Sequence, residues 1–417
     1  MMMAGKLSSN IKYLIMSLLA ITGAGTPLPA QTTPVSGIIN QYGRVDSIGI
    51  DYVIVSDPVQ WAYFEPGNYV LLIQMKGVRM RVIENNSFGS GTNYYGEPGK
   101  HEFLVVESVE FATKKITFTA DLNTVFDKGS FVQLIKVPYY NNALVTAKLE
   151  CAKWDSTFGT GGVLAAIVGN TLSLNENIDV SGKGFKGGVA STGKGICITD
   201  NEPKWYKYAY SALSDSAGFK GEGLAIKGDT GGLPYIRLYP EFAKGYGANF
   251  SGGGGGNGKY SGGGGGANIG PGGTGGREMS DVCTGKTGGL PGIAVPISGL
   301  FLGGGGGAST YKTAGATDGG DGGGIIILIC DTLKGNGYSI IADGGTPSVT
   351  ASGTAGAGGG GGGGSVAIYL QSFSTKTASS AITIKASGGK GGNNIGQTFG
   401  EGGGGGGGLI TTNFIAS

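Results

Sequence analysis

The chain has a single histidine, His101, four cysteines and three tryptophans in 417 residues. One imidazole excludes a multi-histidine metal site and leaves little scope for a histidine-based triad. His101 stands between Lys100 and Glu102 at the start of a predicted strand, where it reads as a surface residue. An excess of charge is missing too. The 30 basic and 28 acidic residues nearly balance, which leaves no basic surface to displace the counterions of a nucleic acid and no field to steer a charged partner. Long apolar runs are absent beyond residue 30. Each later run is short and broken by glycine, so none can span a bilayer as a helix, which takes ~20 residues.

The first thirty residues set the compartment. Lys6 and Lys12 precede an apolar stretch from Tyr13 to Ile21, and small and turn-forming residues follow, ending in Leu28-Pro29-Ala30. This is the charged, apolar and cleavage-site order of a secretory signal peptide, and the apolar stretch is too short for a transmembrane anchor. Cleavage is expected after Ala30, giving a secreted chain that starts at Gln31 and carries 28 basic and 28 acidic residues.

Glycine is what the sequence has in excess: 89 residues of 417, about three times the usual share. There is no Gly-X-Y period, so collagen is excluded. The glycines come in blocks, Gly252 to Gly256, Gly262 to Gly266, Gly303 to Gly307, Gly358 to Gly364 and Gly402 to Gly408. Such blocks read by default as flexible linkers, but here they recur in register with strands. One unit runs from Gly161-Gly162 through Val163 to Val168, then Thr171-Leu172, then Ile178-Asp179-Val180-Ser181-Gly182. A second runs from Gly324 through Ile325 to Cys330, then Thr332-Leu333, then Ile340-Ile341-Ala342-Asp343-Gly344. A third runs from Gly364 through Ser365 to Leu370, then Ile384 to Gly388, and a fourth begins at Gly408-Leu409-Ile410. The near-continuous apolar runs suit strands covered on both faces. Ordered glycine is entropically costly, so neighbouring tracts must satisfy its amides and carbonyls.

From Val45 to Pro138 glycine is sparse, and short alternating strands are punctuated by turn residues such as Glu65-Pro66-Gly67-Asn68. The expected fold is therefore all-β. A small barrel or sandwich occupies 31–140 and shields the first repeat, as terminal caps do. A glycine-rich repeat region follows over 141–417, with an aromatic insertion near 197–217, in which strands pack with polyglycine-II-type helices. A parallel β-helix is the alternative.

The runs Val70 to Gly77, Val132 to Pro138, Ile178 to Gly188 and Gly218 to Gly223, followed by the glycine blocks and Phe301-Leu302-Gly303, resemble the N-terminal region of large glycine-rich cell-surface proteins of Bacteroidota. These are exported by the type IX system and associated with gliding motility. The resemblance covers residues 35–417. It implies a surface location, and continuation into adhesive repeats and a sorting domain, so a fragment of a longer protein is expected. Four cysteines allow three pairings. Cys151 and Cys330 lie in or beside apolar strands as small hydrophobes, and the resemblance implies a Cys197–Cys283 disulfide.

Candidate chemistry is sparse, and no cofactor is expected. The segment Lys204-Trp205-Tyr206-Lys207-Tyr208-Ala209-Tyr210 places Trp205, Tyr206, Tyr208 and Tyr210 where they could stack on sugar rings, or equally pack as an outer strand on the glycine layer. Asp318 and Asp321, in Asp-Gly-Gly-Asp, and Glu222, in a glycine turn, are the candidate carboxylates of a glycoside hydrolase or a polysaccharide lyase; the aspartates are also candidate calcium ligands. Turns favour such acids for backbone hydrogen bonding alone. Two functions of different class result. One is a non-enzymatic structural or adhesive surface module that meets glycans or other extracellular polymers. The other is a carbohydrate-active enzyme on a β-solenoid.

Overall fold

The computed structural model describes residues 31–56, 60–94, 97–127, 129–192, 207–229, 236–237, 240–279, 283, 288–311, 315–347, 355–370, 381–395 and 399–413. The expected signal peptide lies outside them. The first strands are β1 (Thr32–Ile38), β2 (Gln41–Ile48), β3 (Tyr52–Val55), β4 (Tyr69–Gln74), β5 (Val78–Arg81), β6 (Gly91–Tyr94), β7 (His101–Glu110) and β8 (Lys115–Phe118). Next come β9 (Val132–Val137), β10 (Tyr139–Tyr140), β11 (Asn142–Glu150), β12 (Val163–Leu174), β13 (Ile178–Asp179), β14 (Ser191–Thr192), β15 (Ala225–Asp229) and β16 (Ile236–Arg237). The last are β17 (Thr310–Tyr311), β18 (Ile325–Lys334), β19 (Ser339–Ile341), β20 (Ser365–Leu370), β21 (Thr383–Lys385) and β22 (Leu409–Thr412). The protein is all-β. Among the described residues no helix is long and apolar enough to cross a membrane.

Six antiparallel strands close a barrel in the order β2-β3-β8-β7-β4-β9. Alternation fills it: Val53, Val55, Val70, Leu72, Ile116, Phe118, Val132 and Leu134 form its interior. The remaining apolar positions of β4 and β9, namely Leu71, Ile73, Ile135 and Val137, point the other way into a second core. That double burial is why these two strands are apolar at nearly every position.

The second core lies against a large parallel sheet with solenoid-like layering. The repeat unit of the sequence is one layer. β12 pairs with β18, β18 with β20 and β20 with β22, all parallel and in register, so that Val163, Ile325, Ser365 and Leu409 stack. β13, β19 and β21 stack likewise through Ile178, Ile340 and Ile384. Along β18, Ile325, Ile327 and Ile329 face the barrel. Ile326, Leu328 and Cys330 face the interior of the layers beside Ile178, Val180 and Ile340.

Two pieces of the expected 31–140 module lie outside the barrel. β1 pairs with β11 in the parallel sheet, and β5 and β6 form a separate sheet with β15 and β16. Outside the stretch of β12 that β10 pairs, at Ile167 and Val168, the edge of the first long layer would otherwise be a row of unpaired peptide groups. Three barrel-side side chains cover it. Asn40 Nδ2 donates to the Ala165 carbonyl at 2.8 Å while its Oδ1 accepts from Ala165 N at 3.0 Å. Gln133 does the same for Gly161, at 3.0 and 2.9 Å, and the Tyr42 hydroxyl donates to the Val163 carbonyl at 2.8 Å. Two side-chain amides thus imitate the peptide groups of a missing strand.

The glycine blocks are ordered by one another. Gly303 and Gly306 donate to the carbonyls of Gly323 and Gly320, Gly304 and Gly307 to Ala267 and Gly264, and Gly305 and Ala308 to Glu222 and Phe219. In return Phe185 and Gly188 donate to Gly303 and Gly306, Gly362 and Gly359 to Gly304 and Gly307, and Gly253 and Gly256 to Gly305 and Ala308. Each direction recurs every third residue, and segment 303–308 is ringed by six neighbours. Segments 261–267 and 357–364 are ringed in the same way. None of the block glycines has a positive φ. Glycine is therefore required here for its missing Cβ and not for backbone freedom. A Cβ at Gly305 would strike the Lys186 carbonyl, and one at Gly361 the Asp321 carbonyl, both well inside van der Waals contact.

Two expectations follow. Hydrogen exchange should find the amides of 303–307 and 358–364 protected; random-coil rates in both would refute the packing. Gly361→Val should cost roughly 1–3 kcal/mol or more as overpacking, and Gly361→Ala should also cost, though less. An unchanged Tm for the valine variant would mean that the blocks are mere spacers.

Candidate functional site

Of the four candidate aromatics, Trp205 and Tyr206 lie outside the described residues, while Tyr208 is held in a cluster against the excursion that follows β5 and Tyr210 pairs through its backbone with Lys244. Glu84 accepts from the backbone N–H groups of Tyr208 at 3.0 Å and Ala209 at 3.2 Å, clamping the segment. The Tyr208 hydroxyl donates to Asn86 Oδ1 at 2.7 Å. Its ring stacks on Phe88 at 5.5 Å and meets Tyr246 at 4.4 Å. Lys220 closes the cluster from beneath. Its ammonium donates to the Tyr208 carbonyl at 2.7 Å and lies 4.1 Å from the centre of the Phe88 ring. Burial pulls its pKa well below the usual lysine value, with the Glu84 charge opposing. Tyr210 is half-buried, and burial pushes its pKa up to about 12. Both described tyrosines thus anchor the segment to the body, with Trp205 and Tyr206 next to them in sequence.

The candidate carboxylates serve the glycine segments. Segment 184–190 runs along the array, and Gly184, Phe185 and Gly188 donate to backbone carbonyls. The intervening amides use acids: Lys186 N donates to Glu222 Oε2 at 3.2 Å, Gly187 N to Asp321 Oδ1 at 2.9 Å and Ala190 N to Asp318 Oδ1 at 2.6 Å. Asp321 also faces Lys153 at 3.4 Å. A carboxylate replaces the carbonyl of a missing neighbour, which is the structural role that turn acids favour. Among the described residues no group of three or more His, Cys, Asp or Glu side chains stands together to hold a metal.

Glu222 has a second role that sequence reading missed. It pairs with Lys76 at 2.5 Å and accepts from Trp154 Nε1 at 2.9 Å and Ser156 Oγ at 2.8 Å. The Lys76 ammonium lies among three rings, 5.1 Å from Phe185, 5.4 Å from Phe131 and 6.0 Å from Trp154. Barrel, connecting segment and glycine array meet at this one ion pair. Burial alone would raise the Glu222 pKa, but the Lys76 charge and the hydrogen bonds outweigh it and hold the value below normal. The signal in the sequence was a lysine inside an apolar run, Ile73-Gln74-Met75-Lys76-Gly77-Val78.

His101 is partly exposed at the start of β7, sits edge-on to Phe103 at 6.5 Å, and has its pKa lowered by burial. Cys151 and Cys330 are free and buried, with thiol pKa values pushed up to about 12 by burial; they are inert hydrophobes, as their strands implied. Cys283 is disulfide-bonded, and Cys197 lies outside the described residues.

Glu222→Gln should destabilise by roughly 3–5 kcal/mol, since it strands a buried ammonium. With a lowered folded pKa, the carboxylate's contribution is complete above its unfolded value of about 4.3 and is lost as pH falls through the folded value. A pH titration of Tm that is no flatter in the variant would refute that role. Unreduced peptide mapping should recover Cys197 joined to Cys283, and two free thiols would exclude the pairing. No family model matches the chain, and no curated protein and no solved structure matches it either.

Proposed function

We propose that this protein is a secreted, rigid cell-surface module that serves attachment, with glycine tracts that are polyglycine-II-type threefold helices packed side by side. The observation that carries this reading is the three-residue recurrence of lateral hydrogen bonds around segments 261–267, 303–308 and 357–364. A chain with three residues per turn and no Cβ presents N–H and C=O groups in three directions, and a six-neighbour arrangement uses all of them. A body built this way is stiff and holds few side chains for chemistry, which suits presentation. The carboxylates that an enzyme would need are engaged with backbone amides and Lys76. The leader supports export, and the likeness to type IX-exported, gliding-associated surface proteins of Bacteroidota supports placement on the cell surface.

Glycans are the proposed ligand class, met at the aromatic segment 205–210. Purified residues 31–417 should bind a glycan array or intact cells without releasing reducing sugar. The double variant Trp205→Ala/Tyr206→Ala should weaken that binding on the order of tenfold or more with an unchanged Tm. Equal binding by the variant would remove the aromatic segment from the proposal, and turnover of a polysaccharide would replace it with the enzyme reading.

A further inference from the structure

Charge balances over the whole chain but not over the small sheet β16-β15-β5-β6. Its strands carry Arg79, Arg81, Lys227 and Arg237 against one acid, Asp229. On β5, Val78 and Met80 are fully buried in the second core, so alternation turns Arg79 and Arg81 to the outer face. Both are partly exposed, and so is Lys227. Register then sets the cations side by side. Arg79 stands opposite Lys227 on β15 and opposite the exposed Asn93 on β6, and Lys227 stands opposite Arg237 on β16. With strands ~4.8 Å apart, three cations and an amide form a row about 14 Å long across the four strands. Asp229 lies outside that row, opposite Arg81. Like charges directly opposite one another weaken strand pairing, so this register carries a cost that a bound anion would remove. The Nε of Arg81 is buried and, among the described residues, has no hydrogen-bond partner.

We propose that the outer face of this sheet binds an acidic polysaccharide, whose carboxylate or sulfate groups lie along the row. The inference rests on the glycan reading above and names the class of glycan. Three observations select that occupant. The row is cationic, and arginine offers a planar fork that grips such an anion through two N–H groups. The row is also linear and ends at the amide of Asn93, which suits successive charges and hydroxyls on one extended polymer. Finally, the sheet adjoins the aromatic segment. Just beyond Arg81, Glu84 accepts from the N–H groups of Tyr208 and Ala209. One sugar chain then meets cations on the sheet and rings beside it.

Fluorescence anisotropy on purified residues 31–417 tests it, with a labelled oligouronate and its carboxyl-reduced counterpart as probes. The acidic form should bind more tightly, on the order of tenfold or more, and its affinity should fall as salt is raised. The double variant Arg79→Gln/Lys227→Gln should erase that preference without lowering the Tm. Arg81→Gln is the milder variant if the double one is destabilised, and it should weaken acidic binding in the same direction. Equal binding of the two probes overturns the inference, yet leaves the glycan reading standing if Trp205→Ala/Tyr206→Ala abolishes both. Acidic binding lost in the cation variants but kept in the aromatic one supports the inference and removes the aromatic segment. Binding of neither probe overturns it. So does acidic binding that ignores salt and the cation variants, or that duplex DNA matches.

Discussion

The structure depends on how closely two peptide backbones can approach when neither carries a Cβ. Around segment 303–308 every N–H and C=O is paired with a different segment, and the pairing repeats every third residue. The driving force is not hydrocarbon burial, since these residues have almost none to bury. It is the satisfaction of peptide groups that have left water, where each unpaired group would cost about 1–3 kcal/mol. Any side chain in the middle of a tract would break several such contacts at once. The Ile-rich layers then supply the conventional part of the stability, because the glycine segments ending at Gly324 and Gly364 run directly into β18 and β20, strands that are buried on both faces.

Boundaries are the weak points of such an array, and the chain treats each one differently. Along 184–190 carboxylates from Asp318, Asp321 and Glu222 stand in for absent carbonyls. Beneath the first long layer the amides of Asn40 and Gln133 imitate a strand. Where barrel and array meet, Lys76 and Glu222 form a buried ion pair among aromatic rings. At each of these boundaries polar side chains complete the backbone network, and the acids that look like catalytic candidates in a glycine turn are among them.

The layers were legible because their signal is local. A run such as Ile325 to Cys330 announces burial on both faces, and the recurring Ile-x-Ala/Val-Ser/Asp-Gly ending announces register. The barrel was legible from alternation, although the apolar positions of β4 and β9 show closure plus an outer contact only once Leu71 and Ile73 are seen in the second core. What glycine binds was not legible, since a residue without a side chain carries no address: Gly305 meets Glu222 and Gly253 through peptide groups common to all residues. Asn40, Gln133 and Lys76 were missed because single polar residues in a strand have no pattern to stand out from.

The interior of the glycine array has a thermal consequence. Unfolding a hydrocarbon core raises the heat capacity, whereas exposing peptide groups lowers it, by roughly 0.26 cal/K/mol for each Å². Here a large part of what unfolding exposes is bare backbone. The two contributions offset each other more than in a protein of ordinary composition, and the curve of stability against temperature becomes shallow. Such a body keeps nearly the same stability in cold water and warm.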